Sequence, residues 1–72
     1  MVETIIHEEN EGWKIHDFRM ARGNTHTNLI FDLVVDPADM SHAGDIERNM
    51  KQKIHDRDSH YFAVIKVEQS YV

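Results

Sequence analysis

The chain has 72 residues and a formal net charge of -5, from 13 Asp and Glu against 8 Lys and Arg. That acidic balance argues against nucleic acid as a partner, because phosphate contacts need a basic face. The absence of cysteine rules out disulfides and thiolate metal sites and fits a reducing compartment.

One domain spanning residues 1–72 is expected. A chain of this length buries only about 60% of the surface its unfolded form exposes. Without disulfides, its marginal core calls for a bound metal, a second subunit or both. No stretch approaches the roughly 20 apolar residues of a membrane span. The opening Met-Val-Glu-Thr lacks the basic start and apolar run of a signal peptide. The segment is therefore expected not to insert into a bilayer.

Residues 2–10 suggest a short helix, with Val2, Ile5 and Ile6 as a narrow apolar stripe that ends at Glu11-Gly12. Residues 14–22 read as a first strand. His16, Phe18 and Met20 share one parity, and Ile15, Asp17, Arg19 and Ala21 the other. Gly23-Asn24-Thr25 signals a turn. Residues 28–36 are the strongest strand, closed by Asp36-Pro37. A second helix follows over about 41–55, with Ala43, Ile46, Met50 and Ile54 at helical spacing and Asp39, Ser41 or Asp45 as candidate N-caps. Residues 61–69 form the last strand. The order αββαβ predicts an α+β, ferredoxin-like open sandwich: a three-stranded sheet with two helices on one face.

The middle strand is apolar on both parities. Leu29, Phe31, Leu33 and Val35 make one face, and Ile30 and Val34 make the other with Asp32 between them. A sheet covered on one side only would ordinarily show a polar outer face, so the second face is expected to meet another copy of the chain. A carboxylate among apolar residues needs a partner: a cation, a protonated histidine, or Lys66 on the last strand. If Gly23-Asn24-Thr25 is a three-residue loop, Arg22 faces His26, Phe18 faces Ile30 and His16 faces Asp32. An imidazole and a carboxylate at that range suit either a first-row divalent metal or a plain hydrogen bond.

The segment Ile15-His16-Asp17-Phe18-Arg19-Met20, the acidic position sixteen residues after His16 inside an apolar strand, the following helix and the final Val64-Ile65-Lys66-Val67-Glu68 strand resemble the C-terminal cytoplasmic domain of the cation diffusion facilitator family. The resemblance covers residues 2–69. It implies a regulatory domain of an integral membrane efflux transporter for divalent cations, attached to the transmembrane domain of the same protein and facing the cytoplasm. It also implies a homodimer whose interface binds metal, tightening the pair and favouring transport. By the same resemblance His16 and Asp32 are metal ligands, Glu68 stands in for the acidic ligand of the last strand, and His42 matches a helix histidine. Lys66 departs from the pattern, since members often carry a histidine there. Oxygen and nitrogen donors without sulfur allow zinc, iron, manganese, cobalt or nickel.

His7, His26, His55 and His60 form no ligand motif and are expected to be surface residues. Trp13 is expected to anchor the first linker to the core. Carboxylate repulsion between apposed acidic faces is expected to hold the metal-free pair apart. The alternative is a metal-independent ferredoxin-like module that dimerises or binds a small ligand. An enzyme is not expected, because the chain has no Gly-rich phosphate loop and no nucleophile motif.

Overall fold

A computed structural model describes residues 1–70. Helix α1 spans Val2–Glu9, strands β1 and β2 span Lys14–Arg22 and Thr27–Val35, a 3-10 turn covers Pro37–His42, helix α2 spans Ala43–Arg57 and strand β3 spans Tyr61–Gln69. The sheet order is β1-β2-β3, with β1 antiparallel and β3 parallel to β2. This is the α+β, ferredoxin-like αββαβ arrangement the sequence predicts. No helix among the described residues is long and apolar enough to cross a membrane.

The core lies between the helices and one face of the sheet. Val2, Ile5 and Ile6 of α1 and Ile46, Met50 and Ile54 of α2 are buried against Leu29, Phe31, Leu33 and Val35 of β2. Both helices owe their position to these apolar stripes, because eight residues of α1 make too weak a helix to stand alone. Ion pairs from Lys53 to Glu9 and from Arg57 to Glu8 fasten α2 to α1 at the surface. The indole of Trp13 is buried, and its Nε1–H donates to Asp39 Oδ2 at 3.1 Å. The first linker is thereby tied to the 3-10 turn.

Two local details depart from the sequence reading. The hairpin loop holds four residues, Gly23 to His26, closed by the Gly23 N–H on the His26 carbonyl at 2.8 Å. A Cβ at Gly23 would lie 2.9 Å from that carbonyl, so the turn requires glycine here. Arg22 therefore faces Thr27 and not His26. A β-bulge between His16 and Arg19, with Asp17 at φ 54°, then shifts the register back by one. Arg19, not Phe18, faces Ile30, yet His16 still faces Asp32.

The N-terminus of α2 also differs. A 3-10 turn precedes it, His42 takes the N-cap position without a side-chain hydrogen bond, and Asp39 serves Trp13 instead.

Candidate functional site

The helices leave the other face of the sheet open. On β2 it carries Asn28, Ile30, Asp32 and Val34, all half-buried between the flanking strands. Register aligns Phe62, Val64, Lys66 and Glu68 of β3 with them. From β1 come Lys14, His16, Arg19 and Ala21, opposite Val34, Asp32, Ile30 and Asn28.

The bulge decides which β1 residues reach this face. In an unbroken strand His16, Phe18 and Met20 would point the same way. With one extra residue at Asp17, Met20 pairs with core-facing Leu29 and Phe18 stacks on Phe31, ring centroids 6.1 Å apart. Phe18 and Met20 thus lie on the helix side. There they line an open groove of about 460 Å³ together with Met1, Val2, Ile15 and Tyr61. His16 stays on the open face. The spacing Ile15, Phe18, Met20 carries this signal, because only a bulge puts all three on one side.

The four expected ligands are distributed unevenly. His16 and Asp32 are cross-strand neighbours at the centre of the open face. Glu68 shares that face, two residues along β3 from Lys66, which is in register with Asp32. Glu68 is engaged, its Oε1 lying 3.3 Å from Lys66 Nζ. His42 is exposed at the junction of the 3-10 turn and α2, in the helical layer rather than on the strands. Among the described residues no group of three or more His, Asp or Glu is placed to hold a metal ion. One chain therefore brings two candidate donors, His16 and Asp32, to paired register positions and does not close a ligand set.

The face is not acidic. Lys14, Arg19 and Lys66 outnumber Asp32 and Glu68, while Glu3, Glu8, Glu9, Glu11, Asp36, Asp39, Asp45 and Glu47 sit on the helices and linkers. At this face the expected carboxylate repulsion has Asp32 and Glu68 to draw on, set among three cations.

The remaining histidines have local partners. The His7 Nε2–H donates to the Trp13 carbonyl at 3.1 Å, and the His55 Nδ1–H to the Tyr61 carbonyl at 3.2 Å. His60 is hydrogen-bonded with the Thr27 hydroxyl at 3.0 Å. His26 and His55 flank the half-exposed ring of Phe62, each with its centroid 4.8 Å away. Composition gave no hint of that cluster, because the three residues come from different elements.

Fold and site together define a small α+β domain with one helix-covered and one open, mixed apolar and charged sheet face. No protein-family model, no curated protein and no solved structure matches the chain.

Proposed function

We propose that the chain is a metal-responsive dimerisation domain of the cation diffusion facilitator type, pairing with a second copy through its open sheet face. In this reading it regulates a divalent-cation efflux transporter from the cytoplasmic side and catalyses nothing itself. The observation that carries it is the His16–Asp32 pair in register at the centre of a face that also carries half-buried Ile30 and Val34 and exposed Val64. A metal would supply Lewis-acid attraction for donors on both copies. Each chain contributes His16 and Asp32, and the facing chain or water completes the set. Glu68 joins only by releasing Lys66. Metal then favours whichever pairing geometry brings the half-sites together, to the extent of its differential affinity.

Calorimetric titration with zinc or iron(II) tests the site. Saturable binding that is lost in the double variant His16→Ala, Asp32→Ala supports it, and unchanged affinity in that variant refutes it. Affinity should fall as the pH is lowered, because protons compete with metal for the imidazole.

A specific observation favours a second reading, a metal-independent dimer. Lys66 stands in register with Asp32 on the side away from His16, and an ammonium there opposes a cation. Under that reading the open face still pairs, and dimerisation is indifferent to metal and to chelator. Sedimentation with and without zinc separates the two.

A further inference from the structure

The outer edge of β3 is unbroken, with Lys66 its single cation, and what flanks it selects a ligand. Two hydrogen bonds fix the parity of the ladder: the Thr27 N–H on the His60 carbonyl at 2.9 Å, and the Ser70 N–H on the Val35 carbonyl at 2.8 Å. Even-numbered β3 residues therefore bond to β2, and the N–H and C=O groups of odd-numbered residues point outward. At Tyr61 both outward groups are taken, the N–H by the Asp58 carbonyl and the C=O by His55 Nδ1. Those of Ala63, Ile65 and Val67 have no partner among the described backbone and side-chain hydrogen bonds. All nine β3 residues hold an unbroken register with β2, so this edge has no bulge. β1, the other edge strand, is interrupted by its bulge and carries Lys14, Arg19 and Arg22, features that protect an edge from further pairing.

Beside the β3 edge runs a groove of about 280 Å³ lined by Arg48, Lys51, Gln52, His55, Phe62 and Ala63. The α2 members are spaced three, four and seven residues from Arg48, one stripe along the helix. This stripe is basic on a chain of net charge -5. Arg48 and Lys51 are held only by exposed partners one turn away, Asp45 at 3.0 Å and Glu47 at 3.1 Å. Such pairs are weak enough for an incoming carboxylate to replace. The ring of Phe62, 47% exposed, turns over the edge against His55, and Val64, 50% exposed, lies on the open face beyond it.

We propose that an extended peptide segment with alternating acidic and apolar residues docks here by adding a fourth strand to the edge of β3. Its backbone pairs with Ala63, Ile65 and Val67. Its acidic side chains turn toward Arg48 and Lys51, and its apolar side chains toward Phe62 and Val64. Alternation follows from the pleat, because successive residues of an added strand face opposite sides. The site lies on the sheet edge, but Val64 belongs to the open face, so pairing of two copies through that face would compete with the peptide for it.

The test uses the full 72-residue chain and a fluorescein-labelled hexapeptide alternating Val and Glu, followed by fluorescence anisotropy and by amide chemical shifts. Saturable binding is expected, with shifts centred on Ala63 to Val67 and the 48–55 stripe. Three controls should each lower affinity on the order of tenfold: Lys in place of Glu in the probe, N-methylation of the probe's alternate amides, and the exposed double variant Arg48→Gln, Lys51→Gln. Circular dichroism verifies the fold of that variant. No binding, equal binding of the N-methylated or Lys probe, an undiminished variant, or shifts centred on β1 or the open face would each overturn the proposal. The dimer reading has its own measurements, metal titration and sedimentation of the chain without peptide, so its failure is distinguishable from failure of this one.

Discussion

Asp17 occupies the left-handed region at φ 54° without a glycine's freedom. That conformation costs an L-residue about 1–2 kcal/mol, less for Asp than for most residues. Asp17→Gly removes the strain but adds unfolded-state entropy, so urea denaturation should show a change between zero and about 1 kcal/mol in the stabilising direction. Asp17→Val should cost about 1–2 kcal/mol by the same measurement, because a β-branched side chain tolerates this backbone poorly. Trp13 makes a complementary case. Replacing it with phenylalanine leaves Asp39 without its indole donor and should cost about 1 kcal/mol. At the far extreme Leu33, fully buried at the centre of β2, should lose about 2–5 kcal/mol on truncation to alanine.

The hairpin shows what a sequence discloses about an element and what it hides. Strand bounds at Lys14–Arg22 and Tyr61–Gln69 and the burial of Val2, Ile5, Ile6, Ile46, Met50 and Ile54 follow from periodicity alone. The pairing of His16 with Asp32 was also legible, though through two offsetting errors. A loop one residue longer than the turn signal suggests is cancelled by a bulge that alternation conceals. Phe18 and Met20 consequently lie on the opposite face from the one their parity indicates. Loop length is set by the Gly23–His26 closure and the bulge by packing on Phe31, and both are tertiary facts. Deleting Asp17 should give a straight strand in which Phe18 faces Phe31 and every other pair is retained. Circular dichroism should find the deletion variant folded. Analytical ultracentrifugation should find it more prone to self-association than the parent, because a flat edge has replaced a broken one.

For the whole molecule the decisive quantity is how the open face is covered. Ile30→Asp places a carboxylate on the open face between Val64 and Arg19 without touching the core, so it should weaken apolar pairing there and leave the monomer folded. Sedimentation equilibrium at roughly tens of micromolar, the range of modest interfaces, is the measurement. A parent chain that is monomeric there would end the dimer reading. Charge sorting was invisible in the net value of -5. Only the fold reveals that Lys14, Arg19 and Lys66 gather on the sheet while most carboxylates go to the helices and linkers.

The parallel pairing of β2 with β3 also sets the order of events during folding. Thr27 meets Tyr61 and Val35 meets Gln69, so every contact of that ladder closes a long loop that contains all of α2. The β1–β2 hairpin closes across four residues. Loop-closure entropy therefore makes the hairpin quick and the arrival of β3 slow. Until β3 docks, the most apolar strand of the protein has one naked edge, a species prone to intermolecular trapping. Refolding yield should accordingly fall with protein concentration, and mutations that loosen the α2–β3 packing should slow the main refolding phase more than those in β1.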